Sequence, residues 1–157
     1  MIQLVVDSTA AVPKDFLEQH DNVHVIPLFI SVKGEYVPEN EATIEQVIEY
    51  SESTKKAVPT SQPSTGDFLK LFESLPKEDP VIVICITSGV SGTYNGAVLA
   101  ARQSGRKQIA VINSRTTAVG MMEVLEDGLD MIEKGLSFEE ISKGLQESAS
   151  LMRTTFT

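Results

Sequence analysis

The chain has 157 residues, enough for one domain with a sizeable core, and 41% of them are hydrophobic. Thirteen basic residues against 22 acidic ones give a formal charge of −9 with no Lys/Arg cluster, which argues against nucleic acid or an anionic membrane surface as a partner. No apolar run approaches the roughly 18 residues needed to cross a bilayer, no basic segment precedes the first apolar stretch, and the single cysteine, Cys85, lies inside an apolar run. These features make the cytoplasm the expected location.

In chain order, Ile2 to Val6 reads as a short buried strand ending in the polar turn Asp7-Ser8-Thr9, and Pro13 opens a short helix through about Gln19. Val23 to Val32 reads as a second strand. Because Pro27 cannot donate to a ladder, this strand is expected to be bulged or at an edge. Gly34 turns the chain toward Tyr36-Val37, as in a small hairpin. Thr43 and Gln46 form a capping box for a helix to about Glu52, followed by a polar loop from Ser53 to Ser64 that carries Pro59 and Pro63. Ser64, with Asp67 three residues on, caps a helix bearing Phe68, Leu69, Leu71 and Phe72.

Val81 to Ile86 is a continuous β-branched run interrupted only by Cys85, as expected of a strand buried on both faces. It leads through Thr87-Ser88-Gly89-Val90-Ser91-Gly92 into a helix from Thr93 to Arg102. The expectation is a strand-to-helix turn bent at Gly89 and Gly92, with Ser88, Ser91 and Thr93 beside a helix N-terminus that attracts an anion or a carbonyl oxygen. Gln108 to Ile112 is a further strand, Ala118 to Glu133 a longer helix, and Ser137 with Glu140 a second capping box for a helix to about Ser148, with Leu136 and Ile141 placed as a hydrophobic staple. Leu151 to Thr157 looks like a strand cut short.

Strands alternating with helices predict an α/β domain with a mostly parallel sheet and helices on both faces, spanning residues 1–157. Ligands of such sheets bind outside the carboxyl ends of the strands. Four loops with many hydroxyls, at 7–9, 60–64, 87–93 and 113–117, fall on or near that side, and Arg115 is their only cation. Such a cluster suits an oxyanion held by neutral donors. The competing explanation is that each Ser and Thr caps a helix or makes a turn.

Sharper motifs fail on the same stretch. Gly89-Val90-Ser91-Gly92-Thr93 departs from the G-x-S-x-G nucleophile elbow, and both histidines, His20 and His24, precede the serine. No lysine follows either glycine as a phosphate-binding P-loop requires, and no G-x-G-x-x-G occurs. His20 and His24 have no Cys or His cluster around them, so no metal site is expected. Asp7 has two candidate uses, orienting a hydroxyl or a cation and satisfying the Ser8 and Thr9 backbone.

Val6-Asp7-Ser8-Thr9, Val25-Ile26-Pro27-Leu28, Thr60-Ser61-Gln62-Pro63-Ser64, Thr87 to Tyr94 and Val111-Ile112-Asn113-Ser114 occur in the order found in the DegV family of bacterial fatty-acid-binding proteins, which the chain resembles over essentially its whole length. The resemblance implies a cytosolic, non-enzymatic protein that buries a long-chain fatty acid, requires no other cofactor, and presents the carboxylate to a partner fatty acid kinase. By matching position, Thr60 and Ser91 hold the carboxylate, with Ser61, Ser88, Gly89, Gly92 and Thr93 as the supporting loop. Two positions depart from the family pattern: Thr87 stands for a serine, and Asn113-Ser114 for the usual D-S. Family members also continue into a second lobe that supplies a basic residue, a histidine and much of the acyl tunnel. The resemblance therefore implies an N-terminal portion with the C-terminal lobe absent, weak cover for the tail, and self-association through uncovered apolar surface and an unpaired strand at Met152 to Thr157.

Two other classes of function compete. Related folds occur in dihydroxyacetone-type kinases and sugar phosphotransferase domains, but phosphoryl transfer needs a histidine acceptor, or cations and metal ligands, and these loops offer one arginine. The third class is an interaction module with a vestigial site.

Overall fold

The computed structural model describes residues 1–32 and 34–155. Its centre is a parallel sheet of four strands, β1 (Gln3–Asp7), β2 (Val23–Ile26), β6 (Val81–Cys85) and β7 (Ile109–Asn113), in the order β2-β1-β6-β7. The residues of β1 and β6 are buried throughout, and their alternation sorts the core into two layers. Leu4, Val6, Ile82, Ile84 and Ile112 face one way, where helices α5 (Val119–Glu133) and α6 (Phe138–Leu151) supply Met121, Val124, Leu125, Ile141 and Leu145, and α1 (Lys14–Gln19) adds Phe16 and Leu17. Val5, Val81, Val83 and Cys85 face the other way, against Phe68 and Phe72 of α3 (Thr65–Ser74) and Ala97 and Ala100 of α4 (Thr93–Gln103). The expected parallel sheet with helices on both faces is present.

A second, antiparallel sheet of three short strands has β3 (Phe29–Val32) between β4 (Glu35–Pro38) and β5 (Thr60–Ser61). The hairpin expected at Gly34 joins β3 to β4, and Gly34 takes a φ of +90°, which favours glycine there. Helix α2 (Ile44–Thr54) packs on β3 and buries none of its residues fully.

The capping boxes at Thr43/Gln46, Ser64/Asp67 and Ser137/Glu140 all form. Three sequence expectations change. The strand expected over Val23 to Val32 is two strands in two different sheets. The ladder of the parallel sheet stops at Ile26, Pro27 and Leu28 carry the chain across, and the Leu28 N–H is taken by Ser8 Oγ (2.9 Å). The edge position was right, since β2 is the outer strand of the parallel sheet. Helix α6 runs on to Leu151, with Ala149 buried on its inner face, rather than ending near Ser148. The terminal strand is absent over Met152 to Thr155, where Met152 packs on the core and Thr154 donates to Thr116 Oγ1 at 2.7 Å; Phe156 and Thr157 lie outside the described residues.

At the amino end of the sheet, Arg106 forks its guanidinium onto five carbonyls, those of Phe72, Leu75, Pro76, Lys77 and Asp79, at 2.5–3.4 Å. Four of these residues belong to the connection between α3 and β6, which has no ladder of its own, and planar N–H donors suit several carbonyls at once. A hollow of about 460 Å³ here is lined in part by Leu69, Phe72, Arg106 and Lys107.

Candidate functional site

From β1 the chain moves outward to β2, whereas β6 leads the opposite way to β7, so the loops after β1 and β6 diverge and leave a crevice at the carboxyl edge of the sheet. Asp7 ties its two sides together. It is fully buried; Oδ2 accepts from the Ile86 N–H at 2.6 Å, and Oδ1 accepts from the Thr9 N–H at 3.1 Å and from the Thr9 hydroxyl. Burial pushes the Asp7 carboxyl above its ordinary 3.8, against the lowering effect of those hydrogen bonds. The structure displays part of each use open to Asp7 in the sequence: it accepts from the Thr9 backbone and orients the Thr9 hydroxyl, with Ile86 as an additional partner.

The small sheet closes the crevice into a cleft of about 400 Å³, to which it contributes Ile30 and Thr60, and beside which Leu28 and Gln62 also face. The turn after β6 contributes Val90, Ser91 and Gly92. Thr60 in the small sheet and Ser91 in the turn after β6 of the parallel sheet, some thirty positions apart in sequence, therefore line one cavity. Thr60 reaches it because β5 pairs with β3 in a register that sets Thr60 opposite Ile30. Ser91 is oriented by the buried Thr93: the Thr93 N–H donates to Ser91 Oγ at 3.3 Å, and the two hydroxyl oxygens are 2.9 Å apart. With Thr93 as donor in that second contact, the Ser91 proton is available to a ligand.

The rest of the turn is braced from β7 rather than turned toward the cleft. Asn113 Nδ2 donates to Ser88 Oγ (2.7 Å) while Asn113 Oδ1 accepts from the Ser88 N–H (3.2 Å), and the Thr87 N–H donates to the Thr116 carbonyl (3.0 Å). Asn113 was visible in the sequence only as a departure from a family pattern. The two glycines were expected to bend the backbone, and neither adopts a positive φ. A Cβ at Gly92 would stand 2.2 Å from Gln62 Oε1, so a side chain there would push the Gln62 amide out of its present position. At Gly89 a Cβ would meet only Thr87 Oγ1, at 3.6 Å, an ordinary contact.

Not every expected hydroxyl faces the cleft. Ser64 is taken up by its cap with Asp67. Ser61 is exposed and bonds to the Gln62 carbonyl at 3.4 Å. Ser114 and Thr116 are buried and bonded to each other. Arg115, the cation counted with these loops, is exposed and does not line the cleft. Two lining residues were missed: Gln62, passed over in a search for hydroxyls, and Glu39, which arrives from a turn after β4. Among the described residues Glu39 is the one charged group lining the cleft, and its carboxylate accepts from Ser8 Oγ at 2.5 Å. Away from the cleft, His20 stacks on Phe16 with ring centroids 4.3 Å apart, His24 bonds to Gln3, and burial raises the Cys85 thiol well above its usual range.

A doubly covered parallel sheet with a polar cleft at its switch point, closed by a small second sheet, defines an α/β domain whose chemistry sits in the carboxyl-edge loops. The chain belongs to the DegV family: the family described as "Uncharacterised protein, DegV family" matches residues 1–157. It is 36% identical over 144 residues to a DegV domain-containing protein of Staphylococcus aureus (strain COL), covering 90% of this chain and 50% of that one. It is 32% identical over 151 residues to a protein of Thermotoga maritima named "Fatty acid-binding protein", covering 93% and 52%. Among solved structures, "DegV, a fatty acid binding protein from Bacillus subtilis" superposes with a TM-score of 0.82 at 32% identity, covering 95% of this chain and 54% of that one. The chain thus spans about half the length of these relatives.

Proposed function

We propose that this chain binds a long-chain fatty acid by its head group, with Thr60 and Ser91 donating to the carboxyl oxygens and Leu28, Ile30, Ile86 and Val90 receiving the first methylenes. The observation that carries this proposal is the convergence of Thr60, from the small sheet, and Ser91, from the turn after β6, on one cleft with a partly apolar lining. The names of the Thermotoga maritima and Bacillus subtilis relatives support the ligand class. The protein acts as a carrier: it holds the acid without transforming it and presents the carboxyl to a fatty acid kinase in the cytoplasm. Phosphoryl transfer by the chain itself is disfavoured, because the described cleft lining contains no lysine, arginine or histidine to steady a phosphoryl group. Apolar surface beside the cleft, with Val90 and Val119 exposed, is where a second copy or a further part of the protein would rest.

Titration of the isotopically labelled chain with dodecanoate, followed by amide chemical shifts, tests the assignment. Shifts concentrated at Thr60, Gln62, Ser91 and Gly92 are expected. Saturating shifts confined to another surface, or none at all, would overturn it.

A further inference from the structure

The proton inventory of the cleft divides it into two walls. On the side of β1, the Ser8 proton is given to Glu39 and the Thr9 proton to Asp7, so two hydroxyls that face this region are already spent on carboxylates. What this wall offers a ligand is acceptor oxygen, above all that of Glu39. On the opposite side, Ser91 accepts from the Thr93 N–H and, with the Thr93 hydroxyl as donor in their second contact, keeps its proton for a ligand, while Thr60 presents a hydroxyl and Gln62 an amide. This wall donates.

Charge sharpens the asymmetry. The groups facing Glu39 from the turn after β1 are Ser8 and, behind it, the buried Asp7, which feels the Glu39 charge. From the link before β3 comes Leu28, whose N–H is held by Ser8 Oγ. From β3, β5 and the turn after β6 come Ile30, Thr60, Gln62, Ile86, Val90, Ser91 and Gly92, none of them titratable. A fully ionised carboxylate placed here would have donors on one side and a like charge on the other. Two carboxylates sharing a site do not both ionise freely, and one retains a proton.

Resting on the head-group assignment above, we propose that Glu39 makes this cleft select the carboxyl in its protonated form, with the acid's carbonyl accepting from Ser91 and Thr60 and its O–H donating to Glu39. Binding then carries one shared proton into the cleft, taken from solvent when the free ligand is ionised. The sign follows: the ligand's carboxyl has a higher pKa bound than free, so affinity is greatest in acid and falls as pH rises toward the bound-state value. The fall approaches about tenfold per pH unit where it is steepest.

The experiment is isothermal calorimetry of dodecanoate binding to the 157-residue chain between pH 5.5 and 8.5, in buffers of different ionisation enthalpy, with Glu39→Gln, Glu39→Asp and the neutral head group of dodecanol as controls. Expected are proton uptake approaching about one per ligand bound, and an affinity for dodecanoate that falls with pH. Glu39→Gln should flatten that fall and bind dodecanoate about tenfold more tightly than wild type at pH 8, Glu39→Asp should keep it, and dodecanol should bind independently of pH in all three. Dodecanoate binding without proton uptake, or Glu39→Gln with an unchanged pH profile, would overturn the role of Glu39 and leave the head-group assignment standing. Failure of both ligands to bind any of the proteins would overturn both.

Discussion

The two sheets of this molecule are built to different standards. In the parallel sheet, Leu4 to Val6 and Val81 to Cys85 have no exposed surface at all, and helices cover both faces. In the antiparallel sheet β5 has only two residues, both exposed, and the covering helix α2 leaves Ile44 65% and Ile48 49% exposed. The cleft takes one wall from each. Ser91 is thereby fixed by a rigid layer, while Thr60 rides on a layer with few buried apolar contacts, the kind that opens at low cost. A ligand bridging the two would tie the weaker sheet to the stronger one.

The largest expected effect tests the difference in burial directly. Phe68→Ala, in the core under the parallel sheet, should cost about 3–5 kcal/mol, whereas Ile48→Ala on α2 should stay within about 0.5 kcal/mol. Denaturant titration followed by circular dichroism reads both, and equal losses would break the comparison. Next come the two walls of the cleft. If each hydroxyl donates one hydrogen bond to the bound carboxyl, Ser91→Ala and Thr60→Ala should each lose on the order of 1.5 kcal/mol of binding, about tenfold in affinity, with melting temperatures unmoved. A loss at Ser91 alone would mean that the small sheet lies beside the ligand without holding it. The smallest effect separates local from global stability. Ser64→Ala and Thr43→Ala each remove a capping box worth about 1 kcal/mol. The Ser64 change, at the head of a helix packed in the core, should lower the global unfolding midpoint, and the Thr43 change should show only as faster amide exchange in α2.

The sequence made the stronger sheet legible and the weaker one hard to read. The apolar runs at Val81 to Ile86 and, broken only by Gln3, at Ile2 to Val6, and capping boxes at Thr43, Ser64 and Ser137, are local signals, and each formed where expected. Val23 to Val32 misled because hydrophobicity continues straight through Pro27, while the transfer to another sheet depends on Ser8 receiving the Leu28 N–H twenty residues away. The same limit applies to the site. Ser91 and Thr60 were found through family motifs and do share a cleft, but Glu39 stands in a stretch of mixed acid and proline residues that looks like surface. Only the pairing of β3 with β4, and the return of the Glu39 N–H to the Leu28 carbonyl at 2.8 Å, bring it to the cleft. At the other end, Leu151-Met152 resembled the start of a strand because apolar residues next to threonines carry the same local preference whether a helix is closing or a strand is opening.

The five carbonyls gathered by Arg106 bear on how long the native state lasts once formed. They lie 27 to 34 residues before the arginine in the chain, across β6 and α4, so the clasp joins segments that a loop of that length must first bring together. Contacts made after the rate-limiting barrier slow escape from the folded state while leaving the speed of folding nearly unchanged. A lysine in that position, with one ammonium in place of a planar fork, would satisfy fewer of those oxygens and shorten the lifetime. If the clasp closes after that barrier, the edge of the sheet farthest from the cleft acts as a kinetic lock, and Arg106→Lys should speed unfolding with little change in the folding rate, as read by stopped-flow denaturant jumps.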